Sequence, residues 1–433
     1  MYRKLIAPIN IQWELTPDCN YKCIHCYNAW RKDNINILNT DINYMAITEE
    51  IIKCHILHVT LTGGEPMLVY QNVKPCINKL VDNGIEVSLN TNASLINESN
   101  SAELKQLGIS SVLVSLTSGI EETCNSITQN KNAWEMTLRG IKALCSQNLK
   151  VSVNMVITSL NIKDIYKTAS LLKDLPIETF AATKAATPYS YHDFDKYRIN
   201  RKQLEYVFDE LLRVNHDFGI KVSTLEFYPY CAFSNQQHFE KFGRRICSAG
   251  KTEIAISYDG KIKACPHSTH VYGHYLEGIT KAWNKMDILR NESFIPEKCS
   301  KCKYVLQCEG GCKEEAYVAS GTYTLPDPFA QFDQHIEFEA KSRHKTSQLS
   351  SYEISSHLNV REENETHSLI YVSAFDWILA DKLLVNLLKE QTHLSESNLC
   401  KLYDISKEEA SIILRKLLSK NIIKRGTKNE QSR

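Results

Sequence analysis

The sequence lacks an excess of charge of either sign: 51 Lys and Arg stand against 50 Asp and Glu, for a formal +1. Such a balance gives no support to nucleic acid or an anionic membrane as the main partner. Also missing are a secretory signal and any apolar run long enough to span a bilayer. We therefore expect a cytoplasmic protein with no membrane partner. Hydrophobic content of 43% and charged content of 23% are those of a soluble globular chain, and 433 residues suffice for two or three domains. Cysteine, in contrast, is plentiful, at 15 residues. In a reducing cytosol, clustered thiols read as metal ligands rather than as disulfides. Cys54, Cys76, Cys124, Cys145 and Cys400 fall singly in apolar or helical segments and read as small buried hydrophobes.

From Ile9 to about Phe180, short β-branched runs alternate with amphipathic stretches, the pattern of a parallel α/β fold. The pattern predicts strands at Ile11–Leu15, Leu57–Leu61, Glu86–Leu89, Ser111–Leu116, Val151–Ile157 and Glu178–Ala181. Helices are predicted at Val73–Asn83, Glu98–Leu107, Trp134–Gln147 and Ile162–Leu175, followed by a helix over Arg201–Phe218 and a strand over Lys221–Tyr228. Active groups in parallel α/β folds gather at the carboxyl ends of strands. Directly after the first strand comes Cys19-Asn20-Tyr21-Lys22-Cys23-Ile24-His25-Cys26-Tyr27. Three thiolates spaced C-x3-C-x2-C can face one point and hold three irons of a [4Fe–4S] cluster, leaving the fourth open to a small molecule. A C-x2-C pair would also suit zinc or a redox dithiol. The second strand runs into Thr62-Gly63-Gly64-Glu65-Pro66, where glycines allow a ligand close to the backbone and a carboxylate could accept from an ammonium group.

These two motifs, one strand–helix unit apart, resemble the cysteine signature and GGEP motif of the radical S-adenosylmethionine (SAM) enzymes. The resemblance implies a partial (β/α)6 barrel over residues 1–225, with a [4Fe–4S] cluster on Cys19, Cys23 and Cys26. Its open iron would chelate SAM, Gly63, Gly64 and Glu65 would face the methionine amino group, and Tyr27 would lie by the adenine. Polar residues at later strand ends, Asn90, Asn92, Ser115, Thr117 and Asn154, would contact ribose and carboxylate, although such residues are also ordinary turn formers.

Beyond about Leu225 the cysteines return as Cys231, Cys247, Cys265, Cys299, Cys302, Cys308 and Cys312. Gly260 and Cys265 spell G-x4-C after Cys247, and the later four spell C-x2-C-x5-C-x3-C. A zinc ribbon is the alternative for this region. The pattern resembles the SPASM extension, which carries auxiliary iron–sulfur clusters, and implies such a domain over 226–335. By that resemblance one cluster would use Cys247, Cys265 and Cys312, with Cys231 as the candidate fourth ligand. The other would use Cys299, Cys302 and Cys308, but Ala330 stands where the family pattern ends in cysteine. That cluster could then use Asp327, take a peptide ligand, stay open, or fail to assemble.

Residues 336–350 read as a linker, and the tail, 351–433, as a compact α+β unit. Strands are predicted at Tyr352–Val360, Ser368–Val372 and Phe375–Leu379. Helices follow over Asp381–Glu390, from Ser395 through Leu402, and after a capping box at Ser406 and Glu409. The order resembles the winged-helix-like RiPP recognition element, which binds leader peptides by β-augmentation. A DNA-binding winged helix is the rival, with Lys416, Lys420, Lys424, Arg425 and Lys428 to serve it. Taken together, the resemblances imply a radical SAM/SPASM maturase of a ribosomally made precursor peptide, with a low-potential electron donor such as a flavodoxin or ferredoxin. The alternatives are a sulfatase-type formylglycine maturase, a maturase of a quinone or other protein-derived cofactor, and an iron–sulfur DNA-binding regulator. A Pro266-His267 pair, where the sulfatase-type branch places an aspartate after the cysteine, counts against the first. His25, His58, His267 and His270 receive no role from sequence.

Overall fold

Alternation of side chains along Asn10–Glu14 buries Ile11 and Trp13 on one face and turns Gln12 and Glu14 to the other, which makes this segment a strand, β1. It begins the α/β unit of the chain in the computed structural model, which describes residues 4–28, 42–188, 192–331 and 351–425. The strands that follow are β2 (His58–Thr62), β3 (Glu86–Thr91), β4 (Ile109–Ser115), β5 (Val151–Ile157), β6 (Thr179–Lys184) and β7 (Val222–Ser223). Each pairs in parallel with its predecessor. Helices α1 (Tyr44–Lys53), α2 (Tyr70–Asp82), α3 (Glu98–Gln106), α4 (Glu121–Thr128), α5 (Ala133–Ser146), α6 (Ile165–Leu172) and α7 (Arg201–Phe218) lie between them. Their start points are set by side chains: Asn43 caps α1, and reciprocal Asn97–Asn100 and Asn200–Gln203 boxes open α3 and α7.

On the other side of β1 the sheet continues into the cysteine-rich region. There β8 (Glu253–Ile256) pairs in parallel with β1, and β9 (Lys261–Lys263) and β10 (Val271–His274) extend it antiparallel. Among the described residues the order is β10-β9-β8-β1-β2-β3-β4-β5-β6-β7. The β8–β9 hairpin turns at Asp259-Gly260, where Gly260 takes φ +78° and a Cβ would stand 2.6 Å from His274 Nε2. Short helices follow: α8 (Gln236–Phe242) before the hairpin, then α9 (Ile279–Lys285), α10 (Val305–Cys308) and α11 (Lys313–Ser320) after it.

The chain divides into two compact units, Met1–Glu339 and Ala340–Arg433. In the second, β12 (Asn359–Glu362), β13 (His367–Tyr371) and β14 (Trp377–Asp381) form an antiparallel meander, followed by α12 (Lys382–Glu390), α13 (Glu396–Tyr403) and α14 (Lys407–Leu418). A separate small sheet joins β11 (Tyr352–Ile354) to β15 (His393–Leu394) and β16 (Ile423–Arg425). Leu384, Leu388, Leu399, Leu414 and Leu417 build its core. The Ser406–Glu409 box is present, and Ser395 caps α13 with Asn398 as its reciprocal partner.

Several elements differ from the sequence expectation. The strand expected over Tyr352–Val360 breaks into β11 and β12, which belong to different sheets. The strand expected over Lys221–Tyr228 stops at Ser223, because Leu225 N–H donates to Thr183 Oγ1 (3.1 Å) and Phe227 and Tyr228 bury separately. The helix expected over Ile162–Leu175 starts as a 3-10 turn at Ile162–Asp164. The linker expected at 336–350 lies outside the described residues. Among the described residues no helix is long and apolar enough to cross a membrane.

Candidate active site and the cysteine groups

The carboxyl ends of β1 and β2 hold the two leading motifs against each other. Leu15 N–H donates to Thr62 O (2.9 Å), Gly64 N–H to Thr16 O (2.6 Å) and Glu65 N–H to Asp18 O (2.8 Å). Gly63 takes φ +125°, and a Cβ there would stand 2.7 Å from Thr16 O, so the close approach requires glycine. On its far side the cysteine loop docks on the end of α4, through Lys22 N–H to Thr128 O (3.1 Å) and Ile24 N–H to Ile127 O (2.9 Å). Buried Tyr21 reaches the start of α5, its hydroxyl 3.4 Å from both Ala133 O and Thr137 Oγ1. Cys19, Cys23 and Cys26 are all half-buried, and none is in a disulfide. Cys19 Sγ accepts from Tyr21 N–H (3.4 Å) and lies 3.9 Å from Asn92 Nδ2. Backbone and amide donors at a sulfur favour its thiolate and tune a bound cluster.

Glu65 is held by the protein around it. It is 1% exposed, and its carboxylate accepts from Thr91 Oγ1 (2.6 Å), Met67 N–H (3.1 Å) and Asn92 N–H (2.8 Å). The glutamate braces the end of β3 against the glycine turn, and Pro66 then starts a 3-10 turn. Asn92 is engaged as well: Nδ2 donates to Asn20 Oδ1 (2.9 Å) and Oδ1 accepts from Ser94 N–H and hydroxyl (2.9 and 2.6 Å). Ser115 and Asn154 face each other across β4 and β5, Ser115 exposed and Asn154 Oδ1 accepting from Thr183 Oγ1 (2.8 Å). Asn90 is half-buried opposite Leu113. Thr117 turns away to donate to Cys124 Sγ (3.2 Å), a buried packing contact. Tyr27 lies against His267, ring centroids 4.4 Å apart, so the cysteine loop meets the segment after Cys265.

Two buried ion pairs escaped the sequence reading, because their partners lie far apart in the chain. Lys263 Nζ sits 3.1 Å from Glu14 Oε2 at the end of β1 and also donates to Pro266 O (3.2 Å). Burial pushes the Glu14 carboxyl up, and its Oε1 has no hydrogen-bond partner. Lys184 at the end of β6 pairs with Glu315 of α11 at 2.9 Å, their side chains 6% and 7% exposed. Thr187 N–H and hydroxyl each donate to Glu315 at 3.0 Å. Burial opposes ionisation of Glu315, but Lys184 and the Thr187 donors outweigh it and hold the carboxyl down at about 2. Beside this pair lies a cavity of about 250 Å³, lined by Ile157, Lys184, Thr187, Arg201, Phe329 and Gln331 among others.

The later cysteines fall into two groups. Cys247 acts electrostatically on both Cys265 and Cys312, and burial pushes the last two well up. Cys231 lies beside the other set in the fold, its neighbour Tyr230 touching Cys308, whereas the sequence grouping offered it as the fourth ligand of this one. It acts on Cys299 and Cys308, and Cys302 acts on it. Tyr230 N–H donates to Cys308 Sγ (3.3 Å), and burial raises that thiol to about 11. Asp327 is 3% exposed and its carboxylate is taken by Cys312 N–H (3.1 Å) and Phe329 N–H (2.8 Å). Among the described residues no three His, Cys, Asp or Glu side chains converge on a single-ion position. In a cubane cluster, by contrast, each iron takes its own thiolate, and the mostly half-buried or buried thiols of the three groups, none of them in a disulfide, are the soft donors such clusters use.

Residues 13–172 match the Radical SAM superfamily. The chain is 24% identical over 340 residues to an AdoMet-dependent heme synthase of Methanosarcina barkeri, covering 75% of this chain and 96% of that one. It is 23% identical over 334 residues to the mycofactocin maturase MftC of Mycolicibacterium smegmatis, covering 75% and 83%. The fold matches the crystal structure of Streptococcus suis SuiB bound to precursor peptide SuiA, with a TM-score of 0.59 at 17% identity, over 75% of this chain and 76% of that one.

Proposed function

From the radical SAM domain that the chain carries over residues 13–172, we propose that this enzyme modifies a ribosomally synthesised precursor peptide by abstracting hydrogen from one of its residues. The outcome would be a thioether, a carbon–carbon crosslink or a related oxidation. The observation that carries the reading is the direct bonding of the cysteine loop to the glycine turn, Gly64 to Thr16 and Glu65 to Asp18. Cys19, Cys23 and Cys26 would hold the SAM cluster, and Cys231, Cys247, Cys265, Cys299, Cys302, Cys308 and Cys312 the auxiliary ones. When bound and reduced by a low-potential donor, the first cluster supplies reductive cleavage of SAM to a 5′-deoxyadenosyl radical.

The residues around it position and shield. Gly63 and Gly64 bring backbone within reach of SAM, with Thr62 and Pro66 flanking. Glu65 and Asn92 hold that turn rigid, which keeps reacting groups in register. Tyr27, backed by His267, would cover the adenine side, and Ser115 and Asn154 would meet ribose or carboxylate. The cavity beside Lys184 and Arg201 is a place for the peptide segment to enter. In the second unit, the outer strands of the β12-β13-β14 sheet offer edges to which a leader peptide would add as a further strand. The name mycofactocin maturase of a relative points the same way. Cytoplasmic work follows from the oxygen-sensitive, reduced cofactors.

The test is binding of a synthetic peptide encoded by a short reading frame beside this gene, measured by fluorescence anisotropy. Binding by the full chain that is lost on removing residues 351–433 supports the reading. Binding of a labelled DNA duplex by that tail, with no peptide affinity, would favour the winged-helix rival.

A further inference from the structure

Three cysteines of the C-x2-C-x5-C stretch, Cys299, Cys302 and Cys308, fall one thiolate short of a closed cluster, and the resemblance to the SPASM pattern implies a last cysteine where Ala330 stands. The chain around Ala330 is nevertheless well placed. Ala330 N–H donates to Asp327 O (2.8 Å), and the next amide, Gln331 N–H, donates to the sulfur of Cys231 (3.1 Å). One residue before Cys231, Tyr230 N–H donates to the sulfur of Cys308 (3.3 Å). Cys231 is therefore pinned from both sides: its neighbour touches one sulfur of the group, and its own sulfur touches the backbone that follows Ala330.

We propose that Cys231 supplies the fourth thiolate to the auxiliary cluster of Cys299, Cys302 and Cys308, in the coordination place that Ala330 leaves without a donor. The proposal rests on the auxiliary-cluster part of the function proposed above.

Two further features support it. Backbone N–H groups aimed at Cys231 and Cys308 are the donors that stabilise cluster sulfurs and set potential. Asp327, the other donor in reach of residue 330, already accepts from Cys312 N–H and Phe329 N–H, and as a hard oxygen ligand it suits iron–sulfur chemistry less well than a thiolate. Each ligating thiol gives up its proton on binding iron, which removes the penalty that burial places on a thiolate here. A one-residue loss at 330 is thereby made good from a helical turn, Tyr230–Ala232, that is remote in sequence and adjacent in space.

The experiment uses full-length protein reconstituted anaerobically in two backgrounds. Cys19→Ala/Cys23→Ala/Cys26→Ala removes the SAM cluster, and adding Cys247→Ala/Cys265→Ala/Cys312→Ala leaves only the cluster in question. Iron, acid-labile sulfide, the Mössbauer spectrum and the half-life against a ferrous chelator are read, with circular dichroism to check folding. We expect Cys231→Ala to lose iron or yield a three-iron species, and to shorten the chelator half-life by about tenfold or more. Cys231→Ser, closer in volume, should show the same trend. The double variant Cys231→Ala/Ala330→Cys should restore iron content and half-life, because residue 330 approaches the same position from the other side. Unchanged iron and half-life in Cys231→Ala overturn the proposal. So does a loss confined to the background that retains Cys247, Cys265 and Cys312, or a loss in folded protein that Ala330→Cys does not repair. A parent with no auxiliary iron at all would sink the cluster reading itself and this ligand with it. None of these readouts depends on a peptide substrate.

Discussion

Replacing Glu315 with glutamine would take from the buried Lys184 ammonium its hydrogen-bonded counter-charge, leaving Glu226 and Asp327 as the acids that still act on it. The pair spans 2.9 Å, with side chains 6% and 7% exposed. A buried pair broken on one side costs about 3–5 kcal/mol, because desolvation of the remaining ion is no longer offset. The introduced amide oxygen could still accept from Thr187, so the loss isolates the charge rather than the hydrogen bonds. The deficit should depend on pH. With Glu315 gone, burial lowers the Lys184 pKa against Glu226 and Asp327 alone; where burial prevails the pKa falls below its unfolded value, and stability is restored above the unfolded lysine range, near 10.4, and lost as pH falls. The apolar replacement Lys184→Met/Glu315→Leu should instead be neutral or stabilising by about 1–4 kcal/mol. Anaerobic urea unfolding at matched iron content, at pH 7 and pH 9.5, reads all three proteins. A Glu315→Gln loss under about 1 kcal/mol, or a double variant as unstable as the single, would refute the claim that this pair is a desolvated brace between β6 and α11.

Further outcomes follow from the same structure. His58 is buried against Ser88 Oγ at 2.9 Å, and burial lowers its pKa to about 4. Its neutral form adds stability above pH 6.5 that is lost as pH falls toward 4, about 3 kcal/mol in all, and His58→Gln should flatten that part of the acid-unfolding curve. Gly63→Ala would drive a Cβ to 2.7 Å from Thr16 O in a backbone of φ +125°, so SAM affinity in equilibrium dialysis should fall at least tenfold. Deleting residues 351–433 should weaken precursor binding tenfold or more, about 1.4 kcal/mol, while peptide-independent SAM cleavage continues, as chromatography of 5′-deoxyadenosine would show.

The legible parts of this chain were those in which chemistry and spacing are local. The C-x3-C-x2-C loop, the Gly63-Gly64 turn, the apolar periodicity of α7 and the Ser406–Glu409 cap each lie within one element, and each stands in the fold where the pattern put it. The Asp259-Gly260 hairpin was also written locally but was read only as part of the cysteine spacing. Pairings across long separations carried no such signal. Nothing in the sequence near Lys184 announces Glu315, nor does anything near Glu14 announce Lys263. The bonds from Thr91, Met67 and Asn92 to the Glu65 carboxylate were equally silent, since two of these donors lie on the far side of a strand–helix unit. The nearness of the Cys231 turn to Cys308 was likewise silent, since the two are far apart in the chain.

The most direct measurement of the central claim is anaerobic incubation of the reconstituted full-length enzyme with SAM, a low-potential reductant and the synthetic precursor peptide. Chromatography would count 5′-deoxyadenosine while mass spectrometry follows the peptide. The account predicts 5′-deoxyadenosine that rises with peptide, a matching change in peptide mass that maps to one residue or crosslink, and neither product from Cys19→Ala/Cys23→Ala/Cys26→Ala. Release of 5′-deoxyadenosine by that triple variant, or turnover of a porphyrin with the peptide left unchanged, would contradict it.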